Sequence, residues 1–191
     1  MGREIRRVPA NWEHPKMVRL GTSGYENAFK PQHKCSFDDD AADWIKEFIK
    51  WSAGDFPSHA EDDDKKLPFW EWAGSHPDRD DYVDYKDEEP TWWQAYETVS
   101  EGTPVSPPFE TKEELIQYLA DNGDFWDQKR CKEPKWASLW GGIPGVSAWG
   151  IEKATAFVNA AWAPSMVMIN NEIKSGVDFI AEEATEANNG Q

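Results

Sequence analysis

The sequence is poor in cysteine, in basic charge and in long apolar runs. Cys35 and Cys131 are its only cysteines in 191 residues. Small secreted domains depend on dense disulfides, so this pair reads as two free thiols in a reducing cytosol. No run approaches the ~18 apolar residues of a membrane span. The basic start Met1-Gly2-Arg3-Glu4-Ile5-Arg6-Arg7 has no apolar stretch behind it, so no signal peptide is expected, and Gly2 lacks the Ser or Thr of a myristoylation signal. Against 36 acids stand 20 bases, a formal net charge of −16. Such a chain is repelled by phosphate backbones and anionic lipid, which disfavours direct nucleic-acid and membrane binding. The favoured partner is a protein with a basic surface.

Motifs for chemistry are missing too. His33 and Cys35 with His59, His76 or Cys131 lack the paired spacing of a zinc site. The runs Asp38-Asp39-Asp40 and Glu61-Asp62-Asp63-Asp64 lack the alternating ligands and central glycine of a calcium loop. Gly21-Thr22-Ser23-Gly24 and Gly141-Gly142-Ile143-Pro144-Gly145 match no phosphate-binding fingerprint. A nucleophilic Cys35 or Cys131 would need a spatially adjacent histidine, and carboxylate pairs are too abundant among 36 acids to be diagnostic. No catalytic residue, metal or cofactor is assigned.

What the chain does have is aromatic rings, at 14% with twelve tryptophans. A large ring buries about 150–250 Å², so a few can replace many aliphatics and a core is expected despite the charge. The reading is an α+β domain over residues 1–191. It has about three main helices, short strands and long ordered loops rich in Trp and Pro. A strand is expected over 4–8, ended by Pro9, and then an aromatic-anchored turn at Trp12-Glu13-His14-Pro15. A helix over 39–53 is capped by Asp38 to Asp40 and turns Trp44, Ile45, Phe48 and Ile49 to one face, with Gly54 after it. Residues 91–99 fit a helix or a strand. The segment Gly102 to Pro108 is extended. Thr111-Lys112-Glu113-Glu114 is a capping box for a helix facing inward with Leu115, Tyr118 and Leu119. Residues 127–147 read as loop. Ile151, Ala154, Phe157, Val158 and Ala161 mark a third helix ended by Pro164, and Met166 to Ile169 a buried strand. From Glu182 a polar tail is expected.

Charge is unevenly placed. Residues 1–34 carry net +4, and residues 55–89 carry thirteen acids and four bases, net −9. Pro57, Pro68, Pro77 and Pro90 interrupt that stretch, and Phe69-Trp70-Glu71-Trp72 and Tyr82-Val83-Asp84-Tyr85 pin it. It reads as an acidic excursion held by aromatics over 55–90. Carboxylates beside rings suit a basic partner by ion pairing and cation–π contact. The candidate partner-binding residues are Asp62, Asp63, Asp64, Trp70, Trp72, Asp78, Asp80, Asp81, Asp84, Trp92 and Trp93.

Three segments resemble a known family. They are Arg3 to Pro9 with Trp12-Glu13-His14-Pro15; Tyr96 to Phe109 with the helix to Leu119; and Phe157-Val158 through Ala161-Trp162-Ala163-Pro164-Ser165-Met166. Together, over about a third of the chain, they resemble small, uncharacterised proteins encoded by bacteriophages and prophages. The resemblance brings no activity. It implies a gene context, a phage protein made in the host bacterial cytoplasm. With the charge, that context leads to an inhibitor of a host nucleic-acid-handling defence protein, of anti-CRISPR or anti-restriction type and in the manner of a DNA mimic. A virion structural or assembly accessory is the alternative, and an enzyme of unknown type the second.

Overall fold

A computed structural model describes residues 2–16, 29–30, 32–33, 36–83, 85, 88–99, 102–132, 145–169 and 171–189. The elements in chain order are β1 (Gly2–Val8), α1 (Phe37–Ser52), α2 (Phe69–Trp72), β2 (Trp92–Glu97), β3 (Thr103–Pro104), α3 (Lys112–Asn122), α4 (Phe125–Arg130), α5 (Ile151–Ala160), β4 (Trp162–Pro164), β5 (Met166–Ile169), β6 (Glu172–Ser175) and α6 (Gly176–Asn189). Helices and antiparallel sheets together make the chain α+β. It divides into two compact units, residues 1–31 with 85–191, and residues 32–84.

The first unit is built on a four-stranded antiparallel sheet of order β3-β2-β1-β4. In β1, alternate residues face opposite ways. Arg3, Ile5 and Arg7 lie opposite Glu97, Ala95 and Trp93 of β2, while Glu4, Arg6 and Val8 lie opposite Tyr96, Gln94 and Trp92. The Ile5–Ala95 face takes helices α3, α5 and α6, and the core there is Leu115, Leu119, Ala154, Phe157, Val158 and Val177. The segment after Gly102 runs extended along β2. Val105 donates to the Ala95 carbonyl (2.8 Å), and Phe109 exchanges two backbone bonds with Trp93 (2.7 and 2.8 Å). The Ser106 hydroxyl accepts from the Ala95 amide (3.0 Å), serving that buried donor between flanking prolines.

The capping box is formed at α3. The Glu114 amide donates to Thr111 Oγ1 (3.2 Å), and the Thr111 amide donates to Glu114 Oε2 (3.1 Å). Gly123 ends the helix at φ +70°, and a Cβ there would meet the Ser147 carbonyl oxygen at 2.0 Å, so only glycine fits.

Of the two elements that residues 91–99 fit, the strand forms, over Trp92–Glu97, with Ala95 and Tyr96 both buried. Several other expectations are corrected. Residues 127–130 lie in α4, N-capped by Asp124, whose carboxylate accepts from the Asp127 amide (2.7 Å). Met166 to Ile169 is a strand, but an exposed one. It pairs only with β6 in a two-stranded hairpin, and Met168 is 71% exposed. Ile151 opens α5 but points to solvent. The expected tail from Glu182 continues as helix to Asn189, since Ser175 caps α6 (Asp178 amide to Oγ, 3.1 Å) and Val177 and Ile180 pack on the core. Helices of ten residues or more are therefore four among the described residues.

The second unit centres on α1. Its cap is Ser36, whose hydroxyl accepts from the Asp39 amide, and Asp38, Asp39 and Asp40 occupy the first turn, where the helix dipole favours them. Gly54 follows at φ +79°, as a residue past a helix end should. The inward face is Trp44, Phe48 and Trp51, at helical spacing, packed on Phe56, Phe69 and Trp72. Ile45 and Ile49, expected beside them, turn outward. A stripe a little over one residue wide suffices for so small a core.

Candidate functional site

The unit of residues 32–84 holds fifteen acids and six bases, net −9, in 53 residues. The described segment 55–83 forms no long element. Short turns of helix at Asp64–Lys66, Phe69–Trp72 and Arg79–Asp81 are separated by Pro68 and Pro77, which stop regular structure.

Most of the expected partner-binding residues fall in this unit. Asp62 and Asp63 are almost fully exposed and reach Lys65 (2.8 Å) and Lys66 (2.6 Å) three residues on. The hydrogen bond from Lys65 holds the Asp62 carboxyl below its usual pKa. Such solvated pairs add little to stability, and their carboxylates stay open to an incoming cation. Asp64 accepts from the Glu61 amide (2.9 Å). Asp78 caps the turn of Arg79–Asp81 by accepting from the Asp80 amide (3.0 Å). Asp80 is exposed, and the Asp81 carbonyl accepts from the His33 amide (2.8 Å). Trp70 is 56% exposed, whereas Trp72 is half-buried and stacked on Trp51 at 4.5 Å. Asp84 lies outside the described residues.

Trp92 and Trp93 do not join this set. They belong to β2 of the sheet unit, where Trp93 packs against the core. Its ring already carries two cations, the Arg7 guanidinium at 4.0 Å and the Lys112 ammonium at 4.8 Å.

Sequence reasoning passed over the pocket next to Trp72. Trp51, Phe56, Phe69 and Trp72, with Glu47, Lys50, Asp55, Pro57 and His59, line a cavity of about 290 Å³. The signal was available, since Phe56-Pro57 and Pro68-Phe69 place rings beside backbone that cannot continue a helix. What sequence could not supply was the pairing of those rings with Trp51 on α1.

The sheet unit has its own polar cluster. His14 Nε2 lies 2.6 Å from the Lys30 carbonyl and Nδ1 3.2 Å from the Tyr96 hydroxyl. That hydroxyl donates to Gln94 Oε1 (2.9 Å), and Gln94 Nε2 donates to the Ser106 carbonyl (2.8 Å). The Arg6 guanidinium sits 4.5 Å over the Tyr96 ring and pairs with Glu4 (2.6 Å). Burial, and then the Arg6 charge, lower the His14 pKa, although the Lys30 carbonyl opposes them. Burial pushes the Tyr96 hydroxyl far up. Tyr96 is 1% exposed and His14 6%, so the cluster is buried. On the opposite face Arg3 pairs with buried Asp124, whose carboxyl is raised by burial against the pull of Arg3.

Cys131 is a free thiol that donates to the Gln128 carbonyl (3.3 Å). Cys35 and the two glycine-rich segments, apart from Gly145, lie outside the described residues. Among the described residues no three His, Cys, Asp or Glu side chains converge as a metal site, and no helix is long and apolar enough to cross a membrane. No family model, curated protein or solved structure significantly matches the chain.

Proposed function

We propose that this is a phage-encoded protein that acts in the host bacterial cytoplasm by binding a nucleic-acid-handling defence protein of the host and inhibiting it. The observation that carries the reading is the concentration of charge and open aromatic surface in one unit. Net −9 within 53 residues, with Asp62, Asp63, Asp78, Asp80 and Trp70 all exposed, suits a basic cleft that ordinarily holds DNA or RNA. Duplex DNA presents one charge per ~3.4 Å along each strand, and a dense row of carboxylates competes for the same cations. The charge speeds encounter, and the rings slow dissociation.

The test is capture from a lysate of infected host cells on the immobilised full chain. A nucleic-acid-handling protein with a basic surface should be retained at low salt and released as salt rises, because screening acts over ~10 Å at 0.1 M. Asp→Asn at Asp62, Asp63, Asp78, Asp80 and Asp81 together should abolish capture and leave the melting temperature unchanged. Retention of virion proteins alone would overturn the proposal in favour of an assembly role. One feature favours that second reading, the cross-strand pair Met168 and Ile173 on the β5–β6 hairpin, 71% and 68% exposed, since exposed apolar patches mark interaction surfaces.

A further inference from the structure

In the sheet unit, tryptophan rings are supplied with the chain's own cations. Trp93 has Arg7 and Lys112, Trp149 has Arg3 (5.9 Å) and Lys153 (5.5 Å), and Trp126 has Lys129 (5.5 Å). In the acidic unit no cation lies over Trp44, Trp51, Trp70 or Trp72 among the described residues; its one such contact is Arg79 over Phe37. Trp44 packs on Phe48, Phe69 and His76, Trp51 and Trp72 stack on each other beside the cavity with His59 against Trp72, and Trp70 is exposed.

That cavity has the makings of a cation site. Its walls stand at different angles: Trp51 and Trp72 are 25° apart, and Trp51 and Phe56 85° apart. Trp51 stacks on Trp72 at 4.5 Å and meets Phe56 edge-on at 4.8 Å, so the rings make one continuous aromatic wall, which suits an alkyl stem ending in a compact ammonium group. The exposed carboxylates Glu47 and Asp55 complete the lining. Lys50 also lines the cavity, yet its ammonium lies over none of the rings. The volume, about 290 Å³, falls at the bottom of the range for small-molecule pockets and fits a single long side chain.

We infer that this cavity receives a lysine ammonium, plain or methylated, from the partner protein, its alkyl stem along the aromatic wall at Phe56 and Trp72 and its charge at the exposed Glu47 and Asp55 carboxylates. This rests on the proposed function, and it supplies the point of specificity that diffuse charge alone lacks.

The test needs no partner. The 15N-labelled full chain is titrated with N-acetyl-lysine methylamide, with its trimethyl-lysine counterpart, and with the neutral norleucine analogue, and the indole N–H resonances are followed. Trp51, which donates to the Leu67 carbonyl (3.2 Å), and Trp72 should shift saturably with both ammonium probes, which should bind about tenfold more tightly than norleucine. The exposed Trp126 and Trp162 should not move. Glu47→Gln with Asp55→Asn, both at the surface, should weaken the ammonium probes several-fold and leave the spectrum otherwise folded. Trp72→Ala should abolish the response, and the charge variant keeps the test decisive if that ring proves essential to folding. Equal binding of norleucine, the absence of a saturable shift, or equal shifts of all tryptophans would overturn the inference. A negative titration with host capture intact removes the pocket alone, and a positive titration with no basic protein captured removes the function alone.

Discussion

The two units solve the same problem, a core in a highly charged chain, in different ways. The sheet unit buries aliphatic residues between strands and helices and puts tryptophans at the edges under arginines and lysines, so its charge is partly spent inside the fold. The acidic unit has no strand longer than an isolated bridge among its described residues. It packs rings on rings around Phe69, with Trp44 at 5.0 Å and Phe48, Trp51 and Trp72 at 5.9 to 6.2 Å, and leaves most of its carboxylates in water. The difference teaches where binding capacity resides. A cation already bound over a ring is not exchanged cheaply for another, whereas rings flanked by free acids can still accept one.

The strongest way to break this comparison is to truncate each core. Phe157→Ala and Phe69→Ala should each cost about 3–5 kcal/mol, read by denaturant unfolding, with hydrogen exchange losing protection on β2 for the first and on α1 for the second. Leucine separates them. Phe157 has one ring neighbour, Trp149 edge-on at 5.6 Å, against the four around Phe69, and should tolerate Leu for under about 1.5 kcal/mol. Phe69→Leu should exceed that, because each ring pair adds about 0.5–1.5 kcal/mol beyond area. Equal costs for the two leucine variants would erase the distinction.

Next in size is the buried pair of the sheet unit. Asp124→Ala strands the Arg3 guanidinium and removes the cap of α4, so about 3–5 kcal/mol should be lost. A double variant, Arg3→Met with Asp124→Ala, should recover part of it. If the single variant melts like the parent, Asp124 is not the partner that keeps Arg3 buried. Smaller again is the capping box, where Thr111→Ala should lower stability by about 0.5–2 kcal/mol. An unmoved denaturant midpoint would show that α3 does not depend on its cap.

The last effect is a slope with pH. Burial lowers the folded pKa of His14 below its unfolded value of 6.5. As pH falls through 6.5 and below, the unfolded chain takes up a proton that the fold resists, so stability drops on acidification. His14→Gln should make the fall between pH 7.5 and 5 shallower than in the parent. Parallel curves would remove His14 from the linkage.

Much was legible in the sequence alone because it is local. The α+β class, the capping box at Thr111, the strand ended by Pro9, the extended run between Gly102 and Pro108 and the acidic bias of residues 55–89 follow from short-range sterics, hydrogen bonding and charge counting. Tertiary structure decided which apolar face is covered. Trp44 and Phe48 were read correctly as inward, but Ile45 and Ile49 share their periodicity and face water, because the opposing surface of Phe56, Phe69 and Trp72 is only one stripe wide. Met166 to Ile169 has the composition of a buried strand and lies exposed, since its only partner is β6. Arg3 and Asp124, charged residues 121 positions apart, are buried together, and no local pattern announces that. Periodicity fixes which side chains point the same way. Whether anything covers them depends on surfaces brought from elsewhere in the chain, and so did the pocket that joins Trp51 to Trp72.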